Sequence, residues 1–303
     1  MSIQVTILGS NSAIPTLSRN PTSQIIHVDQ EIYLIDCGEG TQVQLRKFGI
    51  KFQRISRIFI SHLHGDHYFG LIGLLNTMHL LTRNKALHIH APKELEDIIN
   101  LQLNVSHSKL CYEIEFHELT KDNIGVVYSN QKVEISSTRV NHRIECFGFI
   151  FKEQPHPLKI SKDAIDTHGL SIQEIVQVKA GKDIIRENGK TLLSKDLTLK
   201  PSPQLKYSFI TDTKPSERYY QAISNSDLLY HETTFLENQS KRAKETFHTT
   251  AKQAAKIAKK TNCKKLIIGH FSNRYNDLNP LVEEAKTEFA NVELAIEGNV
   301  FKV

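Results

Sequence analysis

Seven residues, Ser61-His62-Leu63-His64-Gly65-Asp66-His67, hold three imidazoles and one carboxylate directly after the apolar run Ile58-Phe59-Ile60. An apolar run of this kind reads as a buried strand. The cluster therefore lies where a rigid strand opens into a loop, a common location for reactive groups. Neutral imidazoles and carboxylates are the ligands of zinc and similar borderline metals. His62 and His64 are two residues apart, which in extended backbone puts both on one side, able to grip one ion. Asp66 and His67 follow a glycine turn and are aimed at a second ion. Two ions need about seven or eight ligand bonds, so more donors must come from other strand ends. His142 follows an expected strand at 133–140, and Asp212 follows one at 207–210. His270 follows Leu266-Ile267-Ile268-Gly269, repeating the strand-then-histidine pattern of Ile60-Ser61-His62. Asp212 has two carboxylate oxygens and can bridge two ions.

The elements that position these residues are legible in outline. Strands are expected at 3–8, 55–60 and 87–90, with a hairpin at 24–28 and 32–35. Further strands are expected at 114–118, 132–140, 146–151, 207–211, 227–230, 265–268 and 292–296. Helices are expected over 41–48, over 92–101 and its surroundings, and where Leu71, Leu74, Leu75 and Met78 repeat at helical spacing. Ala251, Ala254, Ala255 and Ala258 mark an amphipathic helix, with Thr249 and Thr250 as its N-cap candidates. Strands followed by helices, occurring twice, imply an α/β fold of two similar halves, with helices outside two packed sheets.

Composition limits the alternatives. A chain of 303 residues, 39% hydrophobic and 23% charged, has the make-up of a globular protein with a sizeable core. No apolar stretch is long enough to span a membrane, and the first residues do not read as a secretory signal. The cysteines, Cys37, Cys111, Cys146 and Cys263, have no paired spacing. Three of them sit in or beside apolar stretches and read as reduced core thiols of a cytoplasmic protein. A net charge of +5 leans only weakly toward an anionic partner.

One segment interrupts the pattern. Residues 152–206 contain Pro155-His156-Pro157, Pro201-Ser202-Pro203 and an Asn188-Gly189 hairpin signal. The ten Lys/Arg and seven Asp/Glu of this segment make it mildly basic. It reads as an insertion within a single domain spanning 1–303.

The motifs resemble a known family. His-x-His-x-Asp-His after a strand is the signature of the metallo-β-lactamase superfamily, which implies a four-layered αββα fold and two metals. Leu34-Ile35-Asp36-Cys37-Gly38-Glu39-Gly40-Thr41-Gln42, His231-Glu232-Thr233-Thr234-Phe235, His248-Thr249-Thr250-Ala251 and His270-Phe271-Ser272-Asn273-Arg274-Tyr275 narrow the likeness. They resemble the ribonuclease Z group of tRNA 3′-processing endonucleases over nearly the full length, the insertion excepted.

That resemblance implies two Zn2+ per subunit, with other divalent metals open. One would take His62, His64, His142 and Asp212; the other would take Asp66, His67, Asp212 and His270. Asp66 would accept a proton from the attacking water. His248 would serve the leaving group or the scissile phosphate. Glu232 would orient His248, as outer carboxylates do. Arg274 would hold a phosphate through its planar fork, and Arg19 would lie on a loop near the tRNA end. The implied substrate is precursor tRNA and the implied assembly a homodimer.

Lys252, Lys256, Lys259 and Lys260 form a stripe on the alanine helix that is available to phosphates. Two departures from the family stand out: Ile72 where a proline is usual, and an insertion without the Gly-Pro element of the tRNA-clasping arm. The rival readings are another superfamily hydrolase acting on small phosphodiesters or lactones, and a non-catalytic RNA-binding module.

Overall fold

A computed structural model describes residues 3–186, 189–200 and 203–303. The chain forms two compact units, Met1–Lys152 with Leu205–Val303, and Glu153–Gln204.

The larger unit is built on two seven-stranded sheets. The first contains β1 (Ile3–Gly9), β2 (Ser23–Val28), β3 (Glu31–Ile35), β4 (Ile55–Phe59), β5 (Leu87–Ala91) and β6 (Ile114–Glu118). β16 (Val300–Lys302) completes it, in the order β16-β1-β2-β3-β4-β5-β6. β1, β2 and β3 pair antiparallel, whereas β3 to β6 run parallel. Helices Thr41–Lys47, Leu71–Leu80 and Glu94–Val105 make the parallel crossovers. The second sheet contains β7 (Gly125–Ser129), β8 (Val133–Arg139), β9 (Phe147–Glu153), β12 (Lys206–Ile210), β13 (Leu228–Glu232), β14 (Leu266–Gly269) and β15 (Val292–Leu294). β12 to β15 run parallel.

Side-chain alternation sorts the strands into layers. In β3, Tyr33 and Ile35 enter the core shared by the two sheets, with Phe149, Phe209 and Ile267. Ile32 and Leu34 face the other way, against Leu71, Leu74, Leu95 and Ile99 of the helices. The outer face of the second sheet is covered by Ala251, Ala255 and Ala258, with Leu281 and Ala285. The result is the expected αββα layering. Both faces of the central parallel strand β14 are buried, which is why Leu266-Ile267-Ile268 reads as a continuous apolar run. Thr250 starts the alanine helix with a full capping box, its hydroxyl accepting from Gln253 N while the Gln253 side chain accepts from Thr250 N.

Some features differ from the sequence expectation. β7 and β16 were not foreseen, because each is short and partly exposed. Gly65–Tyr68 is a one-turn helix, not a simple glycine turn.

Glu153–Gln204 has its own small core of Leu170, Val178, Ile184, Leu192 and Leu197. Helices Lys162–His168, Ile172–Lys179 and Ser194–Leu197 surround the hairpin β10 (Ile184–Ile185) and β11 (Thr191–Leu192). Gly189 has φ 76°, as a hairpin turn requires. Asn188 of that signal, and Pro201-Ser202, lie outside the described residues.

Candidate active site

The candidate residues gather at strand ends. β3 leads into Asp36, β4 into Ser61 and His62, β8 into His142, β12 into Asp212, β13 into Glu232 and β14 into His270. The short helix Gly65–Tyr68 delivers Asp66 and His67. Its approach is close: a Cβ on Gly38 would stand 2.4 Å from the Asp66 carbonyl oxygen, so only glycine fits there.

Asp36 fixes this segment. Its Oδ1 accepts from Ser61 N at 2.7 Å, and its Oδ2 pairs with His67 Nδ1 at 2.7 Å. The Nε2 of His67 is thereby left for the cleft. His62 Nε2 lies 3.0 Å from His64 Nδ1, which is 3.2 Å from His142 Nε2. Asp212 presents one oxygen to each of two groups. Its Oδ1 is 3.3 Å from His67 Nε2 and 3.0 Å from His270 Nε2. Its Oδ2 is 3.5 Å from His62 Nε2 and 3.7 Å from His142 Nε2. Asp66 Oδ2 is 3.5 Å from both His67 Nε2 and His270 Nε2, and accepts from Ala13 N at 2.8 Å.

This donor set suits divalent metal. One donor atom from each of His62, His64, His142 and Asp212 lies within 4.8 Å of the others, and the same holds for Asp66, His67 and His270. The Nε2 atoms of His67 and His270 are buried and make no aligned hydrogen bond, despite Asp212 nearby. A buried polar atom left this way calls for a partner. Burial opposes charge on Asp212 and Asp66, yet surrounding imidazoles hold both carboxyls well below the usual range. Burial pushes His142 down to about 4, which keeps its imidazole neutral as a ligand must be.

Beside this set, His248 Nδ1 pairs with Glu232 Oε1 at 3.0 Å. Glu232 is fully buried and also accepts from Thr213 N, Thr249 N, Thr234 N and Thr234 Oγ1. Burial works against a charged His248, but the Glu232 carboxylate outweighs it and raises the imidazole to about 9. Thr234 Oγ1 also contacts His270 Nδ1 at 3.0 Å, linking the two histidines through one carboxylate. One donor atom of His248 also lies within reach of Asp212 and His270. That these threonines hold Glu232 shows only in the tertiary structure, since single threonines carry no distinctive spacing.

Other expected residues take definite places. His231 is buried, bonded to Tyr219 Oη at 3.0 Å and to the Glu232 carbonyl, which is a core position. Arg19 is spent on the scaffold: its Nε donates to Asn11 Oδ1 and its Nη2 to the Tyr275 carbonyl, both at 2.9 Å. Arg274 is exposed, with Nε donating to Ser272 Oγ at 3.1 Å. Lys252 and Lys256 lie near Glu288, and Lys260 pairs with Glu217, so part of the lysine stripe is locally neutralised. The metal-type residues open into a cleft of about 610 Å³ that also exposes Ser12, Glu39, Phe69 and Arg143. Arg143 was missed although it adjoins His142.

Layering and site together define a metallo-β-lactamase-fold hydrolase. The fold is similar to that of the metallo-beta-lactamase fold protein YhfI from Bacillus subtilis, with TM-score 0.71 at 17% identity over the whole of both chains. Residues 3–187 match the family model described as Anti-Pycsar protein Apyc1. Along the full length, the chain belongs to the ribonuclease Z family. It is 43% identical over 292 residues to Ribonuclease Z of Bacteroides fragilis, covering 96% of each. It is 41% identical over 304 residues to Ribonuclease Z of Cytophaga hutchinsonii, covering 100% of this chain and 97% of that one. Human tRNase Z, short form, superposes with TM-score 0.71 at 28% identity, covering 98% of both chains.

Proposed function

We propose that this chain is a metal-dependent endoribonuclease that removes 3′ trailers from tRNA precursors, leaving a 3′-hydroxyl on the tRNA and a 5′-phosphate on the trailer. The observation that carries this reading is a two-part His/Asp site shared through Asp212, in a chain 43% identical to a ribonuclease Z over 96% of its length.

The site would hold two Zn2+, one at His62, His64, His142 and Asp212, the other at Asp66, His67, Asp212 and His270. Such ions, when bound, lower the pKa of water and stabilise charge on phosphoryl oxygens. The protein's own groups do the rest. Asp66, held in place by Ala13 N, accepts the proton of the attacking water at its carboxylate. His248 has Nδ1 tied to Glu232, so its Nε2 carries the proton delivered to the departing 3′ oxygen. Glu232 keeps His248 protonated and oriented. Arg274, exposed and free of the scaffold role taken by Arg19, is the better phosphate contact of the two.

That Glu153–Gln204 forms a compact unit of its own supports reading the insertion as the family's tRNA-clasping arm. No helix among the described residues is long and apolar enough to cross a membrane. All four cysteines are free, as in a reducing compartment, which supports a cytoplasmic enzyme. Assembly as a homodimer follows the family resemblance.

The test is cleavage of a 5′-labelled precursor tRNA with the product end mapped, with and without a chelator, beside a small aryl phosphodiester. Metal-dependent cleavage at the trailer junction is expected. Turnover of the small ester with an intact precursor would overturn the tRNA assignment in favour of a small-molecule hydrolase.

A further inference from the structure

A second group of metal-type donors lies on β5 and β6. The parallel register sets His88 opposite Glu115 and His90 opposite His117. Residues two apart on a strand share a face, so these four side chains stand together. The face continues that of Phe59, on which the His90 ring stacks at 4.6 Å between centroids. His117 stacks on His90 at 4.5 Å, with planes 14° apart. This column starts in the apolar core and fixes the ring of half-buried His117. His88 Nδ1 then lies 3.1 Å from His117 Nε2 and 3.2 Å from Glu115 Oε2. One donor atom from each of His88, Glu115 and His117 falls within 4.8 Å of the other two.

The catalytic site supplies the scale for that geometry. Its imidazole nitrogens approach to 3.0 and 3.2 Å at His62, His64 and His142. Among the described residues, His88 and His117 are the pair outside that site whose ring nitrogens come equally close. Two imidazole nitrogens at this distance either share one proton or hold an ion. The surroundings favour the neutral imidazole that metals bind: burial and the nearby Arg57 guanidinium both lower His88 and His117. Arg57, with Nη1 3.2 Å from His90 Nε2, also repels a cation, and the Glu115 carboxylate offsets that repulsion.

We propose that His88, Glu115 and His117 bind a divalent ion of the zinc type, separate from the catalytic pair. Two imidazoles and one carboxylate suit Zn2+, Co2+ or Ni2+ and do not suit Mg2+ or Ca2+, which take oxygen ligands. Three protein ligands leave the fourth tetrahedral position to solvent. β6 is an edge strand of its sheet. An ion held by one residue of β5 and two of β6 staples that edge to its neighbour, and its binding stabilises the fold by mass action.

The test counts metal on the full-length protein after dialysis against excess Zn2+. The wild type should carry one ion per chain more than the His88→Gln/His117→Gln double variant. Precursor cleavage should be equal in the two. Added zinc should also raise the Tm of the wild type further than that of the variant. Equal zinc content in the two proteins overturns the proposal. Glu115→Gln, at a half-exposed position, guards against a folding defect in the double variant. It should bind the extra ion at least about ten-fold more weakly, the loss typical of removing even an outer partner of a metal site. Unchanged affinity in that variant overturns the proposal as well.

Discussion

Around the cleft, the buried side chains are ones that prefer water: Asp36, His62, His67, Glu232 and His270 have no exposed surface. In Glu153–Gln204 the balance is reversed. Its core is five aliphatic side chains, and Ile172, Val176 and Ile185 are each more than 60% exposed. The first region uses the stability of two large sheets to hold polar groups in fixed relation. The second is a fold of minimal core that presents apolar and charged groups outward. Such a unit is marginal by size, and exposed apolar groups of this kind mark contact surfaces. In the proposed function, chemistry and tRNA recognition fall to parts with very different mechanical reserves.

Substitutions can break or sharpen this contrast. His64→Ala should reduce precursor cleavage to background and lower bound zinc, while far-UV circular dichroism stays unchanged. Normal cleavage would sink the metal assignment. His248→Ala should lower kcat by about 10²–10⁴-fold, the usual reach of a general acid, with zinc content intact. A fall in zinc content would instead make His248 a ligand beside Asp212 and His270. Asp36→Asn should weaken zinc binding by about 10–100-fold through loss of the His67 contact, measured by competition with a chromophoric chelator. Leu197→Ala should remove about 2–5 kcal/mol from the small core. Limited proteolysis should then cut within 153–204, and KM for precursor tRNA should rise while kcat holds. Loss of zinc in Leu197→Ala would show that the two regions are not independent.

The sequence exposed the strand-end donors because a strand and the metal-type residue that follows it make a recognisable pair. His62, His142, Asp212 and His270 were legible for that reason, and the structure brings them together. Less was legible where the signal was diffuse. Thr213, Thr234 and Thr249 each donate one or two hydrogen bonds to Glu232, yet single threonines carry no periodicity. The resemblance puts Arg19 on a loop near the tRNA end, and only tertiary contacts show it holding Asn11 to Tyr275. The helices of Glu153–Gln204 are too short to impose a 3.6-residue pattern.

Asp36, Asp212 and His270 all sit at positive φ, at 54°, 39° and 58°. Most side chains resist that backbone at a cost of about 1–3 kcal/mol, with aspartate, asparagine and histidine among the more tolerant. Each of these positions is therefore filtered twice, once by what it must bind and once by how its backbone turns. Glutamate or cysteine could supply a metal ligand yet would fit the turn poorly. The amino-acid alphabet open to this grip is narrower than coordination chemistry alone allows, and attempts to retune it for another metal should meet the main chain before they meet the ion.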